Sequence, residues 1–465
     1  VVTRDALETV EWTKPSLLRI FGGAQKFGQF DPVGPEDEQA AEQETDYVQH
    51  ILLTDNDWYR FAYDWMHGAL VEKNGYAKVY AEEKDRVTTD EAYGLSDMQL
   101  QQLVQEGAEL VEHSPEVVMT DLGPMQVHNV KYRITDSEWK IRVEAVPVEE
   151  VRVSASCKSL TLDDADFVAH VRNVPKSDLI EMGFSEEDLA DLGDQEPDDD
   201  IEDHRTRYSD SYADEATDES MREITVEECY LLIDEDGDGI AERRRILKSG
   251  SKILEDDPWD FMPFIAISPK PQPHTHVGLS QVDLVADIQG IRTTLMRQML
   301  DNLYLTNNPE KEVLDGKVNY DDLLTSVPGG VKRVKQMGSI QPLAVPFTAG
   351  ASMPMLEILD GMRAGRTGIS RHTQGLDADA LAQSTKGAFM GGMKQASQQI
   401  EMIARNFAED GFKRVLIKTH TLARKYQDIK RTIKLRGEWV DINPAEWRER
   451  NDFTVSVGTG NTNDD

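Results

Sequence analysis

The chain has 465 residues, of which 86 are Asp or Glu and 50 are Lys or Arg, giving a formal charge of −36 with a hydrophobic fraction of 39%. No apolar run approaches the roughly 18–20 residues of a membrane-spanning helix, and two cysteines, Cys157 and Cys229, make neither a disulfide framework nor a four-thiolate zinc site. Nucleic-acid binding draws its affinity from basic groups that neutralise phosphates, so this composition argues against tight sequence-specific DNA binding. The length suits two to four domains or one elongated subunit. A start at Val1 without Met or a signal-peptide pattern suggests a trimmed boundary, and the cysteine usage suggests assembly in a reducing, intracellular setting.

The charge is unevenly placed. Residues 1–300 hold 65 acids against 28 bases, whereas 301–465 hold 21 against 22. Residues 178–242 carry 26 acids with only Arg205, Arg207 and Arg222, while 386–436 carry 12 bases against four acids. One part of the subunit is acidic and one long segment is basic.

In chain order, the apolar spacing predicts two helices over 36–72, with Val48, Ile51 and Leu52 on one face of the first and Trp58, Phe61, Ala62, Trp65 and Leu70 on the second, which ends at Asn74 and Gly75. Ser96 with Gln99 forms a capping-box start for a helix burying Leu100, Leu103 and Val104. From Val117 the period becomes two, predicting an antiparallel meander broken at Gly123, Pro124, Asp136 and Pro147. A short helix follows Ser177, and 194–223 is too acidic to pack and reads as a solvated loop. Ile224–Ile233 and Ile240–Leu247 then read as a hairpin. After the proline-rich stretch 258–273, Ser280 with Asp283 caps a helix carrying Val285, Ile288, Ile291, Leu295, Met299 and Leu303. An insertion, 306–350, has strand-like Val313–Leu314 and Val331–Val334. A helix over 353–369 carries Leu356, Ile358, Leu359 and Met362, 370–385 reads as a mobile loop, and 386–428 as one long helix with possible bends at Gly391, Gly392 and Gly411, packed against neighbouring subunits.

The chemistry-bearing motifs are few. Asp234, Asp236, Asp238 and Glu242 occupy the first, third, fifth and ninth positions of a calcium-loop pattern with Gly239 at its sixth, but the twelfth position, where a bidentate Glu is needed, is Arg245. The competing reading is a hairpin turn whose Asp and Gly residues satisfy the backbone. His274 and His276 flank Thr275 without a third ligand and read as structural. Gly361, Gly365 and Gly368 fall in a helical pattern and not after a strand, so they are no dinucleotide loop. The Asp198–Asp200 run reads as a solvated face. Among nucleotide and hydrolase motifs, no P-loop, HExxH or Gly-x-Ser-x-Gly occurs, and nothing argues for an enzyme or an obligatory cofactor.

The order of parts, together with Val10–Leu17, Ile233–Gly239, Pro263–Ile265, Val277–Ser280 and Gln383–Ala388, resembles the podovirus-type portal proteins, the head-to-tail connectors of tailed double-stranded DNA bacteriophages. The resemblance implies an α+β portal fold in a ring-forming oligomer: a wing over 1–278, stem helices over 279–305 and 351–369, a small clip over 306–350, a tunnel loop over 370–385, a long helix over 386–427, and returning wing strands over 428–465. It places crown helices after 455–460, so that part is expected to be missing. It further implies a dodecameric virion protein, assembled in the host cytoplasm, that contacts scaffold and capsid protein, docks the terminase large subunit and later a tail adaptor, and passes double-stranded DNA without sequence specificity and without membrane contact. On this resemblance Gln374, Asp377, Asp379 and Gln383 line the channel, Lys332, Arg333 and Lys335 of the clip face DNA or the motor, and Arg405, Lys413, Arg414 and Lys418 pair with acids of neighbouring subunits. The alternative reading from the acidic composition and the 234–242 turn is a calcium-stabilised structural or adhesion module; a metal-dependent hydrolase built on the acid cluster is a third.

Overall fold

The computed structural model describes residues 2–22, 28–32, 34–105, 107–120, 123–189, 192, 218–325, 327, 329–369, 398–427, 431–435, 438–450 and 453–455. The chain is a mixture of helices and antiparallel sheets, an α+β fold. It begins with α1 (Asp5–Phe21), which buries Thr9, Val10, Thr13, Lys14, Leu17 and Phe21 at the three- and four-residue spacing of one helix face. Next come β1 (Gly28–Phe30), α2 (Glu38–His50) and α3 (Trp58–Glu72), the last two joined through a π turn at Ile51–Asp55. The predicted faces of α2 and α3 are buried, and Lys73, with φ of 80°, ends α3 one residue before Asn74.

Two sheets follow. The first runs in the order β10-β2-β4-β3, from β2 (Gly75–Leu95), β3 (Glu109–Thr120), β4 (Gly123–Val146) and β10 (Phe264–Ile267), with α4 (Asp97–Gln105) between β2 and β3. β4 has 24 residues and pairs with β2 from Tyr76↔Val146 out to Leu95↔His128. The expected break at Asp136 is corrected here: Asp136 lies opposite Arg86 inside a continuous ladder. Beyond Ala81 the described residues of β2 are mostly exposed, so no buried stripe runs along it. For the same reason β2 had no alternation to betray it. The capping box closes α4 as expected, with Ser96 N–H donating to Gln99 Oε1 at 3.0 Å, but α4 buries no side chain and Val104 is exposed.

The second sheet has the order β5-β6-β7-β8-β9, from β5 (Val151–Val153), β6 (Phe167–Pro175), β7 (Glu223–Ile233), β8 (Glu242–Ser249) and β9 (Lys252–Pro258). A short helix, α5 (Lys176–Glu181), leaves β6 as predicted. The β7–β8 hairpin is as read, closing at Ile233↔Glu242. The edge strand β9 occupies the start of the proline-rich stretch, where Pro258 costs no ladder bond on the open side.

One apolar core joins α1, α2, α3, β2, β4 and β10 to the helix over 398–426. That helix passes through a π turn at Ala408–Phe412 and buries Ile403, Ala404, Phe407, Phe412, Val415, Leu416 and Ala423. Phe412 stacks on Phe21 with ring centroids 4.2 Å apart and lies edge-on to Trp65 and Trp58. The helix expected to lack local cover has it: over the described residues its apolar face is buried inside its own chain. Two of its four named cations also have partners in the chain. Arg414 Nη1 lies 2.5 Å from Asp163 Oδ2 and Lys418 Nζ 2.6 Å from Asp163 Oδ1, both within the subunit. Periodicity reveals that a helix has an apolar face but not what covers it.

The C-terminal end closes on the same body. β13 (Arg431–Leu435) pairs with β14 (Glu438–Ile442), and β15 (Phe453–Val455) pairs with β1. Arg450, 3% exposed, forks Asp37 at 2.7 and 3.0 Å and also contacts Glu44. Burial alone would raise the Glu44 carboxyl, but His420, at 2.8 Å, and Arg450 hold it below its ordinary value.

Gly411 is a tight point of this packing. A Cβ there would lie 2.2 Å from Ile267 Cγ2 and 2.9 Å from Trp65 Cη2. Helix propensity alone favours Gly→Ala by about 1 kcal/mol, whereas overpacking costs about 1–3 kcal/mol. Gly411→Ala is therefore expected to lower stability in spite of propensity, read as a reduced urea midpoint; a raised midpoint would show that the contact yields.

Candidate functional site

Outside the core stand two helices and the insertion between them. The Ser280–Asp283 box forms, with Ser280 N–H to Asp283 Oδ2 at 2.9 Å and Asp283 N–H to Ser280 Oγ at 3.0 Å. It closes a turn, however, and helix α6 begins after it (Ala286–Asn307). Its 22 residues span about 33 Å at about 1.5 Å each. The predicted stripe is buried only at its base, at Val285 and Ile288; Ile291 and Leu303 are exposed. Helix α7 (Met353–Thr367) buries Leu359, Arg363 and Thr367 and leaves Ile358 and Met362 exposed. Gly361 and Gly365 lie within α7, and Gly368, at φ of 75°, is its left-handed cap, so the reading against a dinucleotide loop stands.

The insertion is held by little. β11 (Lys311–Val313) pairs with β12 (Ile340–Pro342), and Val318 bridges Val334. The expected strand over Val331–Val334 is reduced to that bridge. The Asn302 side chain fastens the return of the chain to α6, accepting from Thr348 N–H at 2.9 Å and Ala349 N–H at 3.1 Å while donating to the Pro346 carbonyl. Apolar side chains face outward: Leu324 is 84% exposed, Val331 84% and Met337 93%.

The three cations expected at the clip, Lys332, Arg333 and Lys335, have different surroundings. The Lys332 ammonium donates to the Asp322 and Thr325 carbonyls inside the insertion. Arg333 forks Asp322 at 2.7 and 3.0 Å, and these hydrogen bonds pull the Asp322 carboxyl down to about 2. Lys335 is exposed. Only Lys335 and the outer face of Arg333 are thus presented to a partner.

Asp234, Asp236, Asp238 and Glu242 do come together, with ligand oxygens within 4.8 Å of one another, all four residues exposed. They also serve the turn. Asp234 accepts the N–H of Gly237 at 2.7 Å and of Gly239 at 2.9 Å, and Asp238 that of Ile240 at 2.7 Å. Gly237 and Gly239 have φ of 77° and 89°. Arg245, at the position where a calcium loop needs its bidentate acid, points elsewhere: it meets Glu228 Oε1 at 3.0 Å and Glu255 at 2.9 Å. Glu228 is also 2.5 Å from Lys78 Nζ, so this buried carboxylate ties β2 of one sheet to β7 and β8 of the other. Burial alone would raise its pKa, but Lys78 and Arg245 outweigh burial and hold Glu228 well below the carboxylate range.

Residues 1–465, the whole chain, match the family model described as Phage SU10 portal protein. The chain belongs to this phage portal family. No curated protein matches it. The portal residues read from the sequence as channel-lining, Gln374, Asp377, Asp379 and Gln383, lie outside the described residues, as do the Asp198–Asp200 run and most of the acidic loop. His276 is structural as expected: it is buried, with Nε2 2.8 Å from Tyr76 Oη and Nδ1 2.9 Å from the Ser159 carbonyl, and burial lowers its pKa. No described helix of the portal subunit is long and apolar enough to cross a membrane. Sequence reading missed Asn302 and the Lys78–Glu228–Arg245 cluster, whose partners lie 150 residues apart and carry no local pattern.

Removing one partner of a buried ion pair costs about 3–5 kcal/mol, so Glu228→Gln is expected to lower the denaturant midpoint at neutral pH. The wild-type carboxyl is depressed in the folded state, so its contribution is full above the unfolded value of about 4.3 and is lost as the pH falls below it. Glu228→Gln should accordingly lose less stability than wild type between about pH 5 and about pH 3; parallel curves would contradict the assignment.

Proposed function

We propose that this protein is a portal subunit: a non-enzymatic ring at one vertex of a phage capsid, through which double-stranded DNA enters and leaves. One observation within the family frame supports it most. The helix pair and insertion expose Leu303, Leu324, Val331, Met337 and Phe347, apolar side chains of the kind that mark an interaction surface when they lie together. Neighbouring copies cover these side chains in a dodecameric ring. In this reading the body is the wing over 1–278, α6 and α7 are the stem over 279–305 and 351–369, and 306–350 is the clip. The tunnel segment 370–385 meets DNA through Gln374, Asp377, Asp379 and Gln383, the helix over 398–426 belongs to the long helix assigned to 386–427, and β13, β14 and β15 are the returning wing strands of 428–465. Lys335 and Arg333 of the clip meet the terminase large subunit during packaging and the tail adaptor afterwards; scaffold and capsid protein contact the wing. ATP hydrolysis belongs to the motor. An acidic subunit, with formal charge −36, repels the polyanion and lets it slide, because each retained phosphate contact would add friction.

A second reading, a calcium-stabilised acidic structural module, draws on the convergence of Asp234, Asp236, Asp238 and Glu242. Under it, millimolar calcium raises the melting temperature and Asp236→Ala abolishes the rise. Under the portal reading without metal, melting is the same in calcium and in chelator.

The portal reading is tested by mass photometry of the wild type and of a Leu324→Asp/Met337→Asp variant. Wild type is expected to form closed oligomers of one size, and the variant to remain folded by circular dichroism but to lose most of the oligomer. An unchanged distribution for the variant would remove the clip from the interface, and a wild type monomeric at every concentration would overturn the reading.

A further inference from the structure

Helices α6 and α7 carry 22 and 15 residues yet bury only Ile288 and Thr293 on one and Leu359, Arg363 and Thr367 on the other. The N-terminal segment crosses at this small root. Asp5, 2% exposed, accepts through the single oxygen Oδ1 from Arg292 Nη1 of α6 at 2.7 Å and from Arg363 Nη1 of α7 at 3.0 Å. Asp360 Oδ1 takes Arg292 at 2.7 Å, and Glu8 Oε2 takes Arg363 at 3.0 Å. The backbone is fastened as well. Gln289 Oε1 of α6 accepts the Ala6 N–H at 2.9 Å, one of the donors that the first turn of α1 leaves without a helical partner. Thr3 N–H donates to Thr293 Oγ1 at 3.2 Å, and Thr3 Oγ1 to the Gln289 carbonyl at 3.3 Å.

One carboxylate is thus shared by guanidinium groups from two helices. Successive residues of a helix are rotated by about 100°, so a turn of either helix by one residue carries its arginine away from Asp5. The planar guanidinium bonds only in fixed directions, and loss of Asp5 leaves Arg292 with Asp360 and Arg363 with Glu8, without the one carboxylate that joins α1 to both helices. We propose that Thr3–Glu8 is a clasp: Asp5, Arg292, Arg363 and Gln289 are positioning residues that fix the crossing of α6 and α7 and hold both to the body. Any swing of the helix pair against the body requires the clasp to open. A second tie between the two helices, Arg366 to Asp287 at 2.7 Å, is exposed on both sides and contributes little, as surface pairs do. The clasp does not depend on the ring reading, because its test is made on a single subunit.

Hydrogen exchange of the full chain, read by mass spectrometry under dilute conditions, tests this. Asp5→Asn is expected to raise exchange in α6 and α7 by roughly tenfold or more while α3 and β7 exchange at the wild-type rate, the signature of a local opening. Asp287→Asn, which breaks only the exposed tie, should change exchange by less than about twofold. Gln289→Ala, which removes the cap and leaves every charge, should raise exchange in the same two helices by a smaller factor and serves if Asp5→Asn does not fold. Wild-type exchange of α6 and α7 in Asp5→Asn, or an increase spread evenly over the chain, would overturn the clasp; so would Asp287→Asn having the larger effect.

Discussion

The structure depends on the burial of one helix from the C-terminal part of the sequence in a body made by the N-terminal part. Phe407, Phe412, Val415 and Leu416 complete a core that α1, α2, α3, β2 and β10 leave open. The stacking of Phe412 on Phe21 and the absence of a side chain at Gly411 set how closely the helix approaches β10 and Trp65. Interiors are packed like organic crystals, so this approach leaves no slack, and the π turn at Ala408–Phe412 falls at the point of closest contact. Buried ion pairs of Arg450 with Asp37 and Glu44, and the hydrogen bond between His420 and Glu44, then lock the closure.

A body closed in this way completes its core within the chain, whereas α6, α7 and the insertion keep exposed apolar side chains. These elements lie between β10 and the closing helix in sequence, so the body holds both ends of them while their outer faces stay uncovered. Apolar exposure in the insertion and electrostatic commitment at the helix root are complementary features. The root is fixed by charges within the chain, and the far end leaves Leu324, Val331 and Met337 exposed. That division is what a ring subunit requires, and it is the physical content of the portal reading for this member of the family.

Much of the fold was legible because local chemistry reported it. Ser96–Gln99 and Ser280–Asp283 form the boxes their spacing promises, and the glycine–aspartate turn joins β7 to β8. The faces of α2 and α3 were readable because a buried stripe repeats at the helix period. β2 was not, because its outer half has no buried side and alternation carries no signal there. The base of α6 was readable at Val285 and Ile288, but its continuing apolar spacing at Ile291 and Leu303 marked a surface left open. Arg414 and Lys418 were assigned to a neighbour and found Asp163 of their own chain, since charge counts along a sequence do not identify partners. The candidate site divides in the same way. The acidic turn was visible because its residues are contiguous, whereas Asp5 joined to Arg363 spans most of the chain and leaves no mark on either neighbourhood.

The central claim is that this subunit closes into a ring around a DNA-sized opening. Electron microscopy of the concentrated protein tests it most directly, by scoring end-on views for rotational symmetry and an open centre. The account predicts closed dodecameric rings with a channel wide enough for duplex DNA, with the α6–insertion–α7 segment lying between adjacent subunits. Compact monomers or dimers at every concentration, or rings in which that segment faces solvent on all sides, would contradict it.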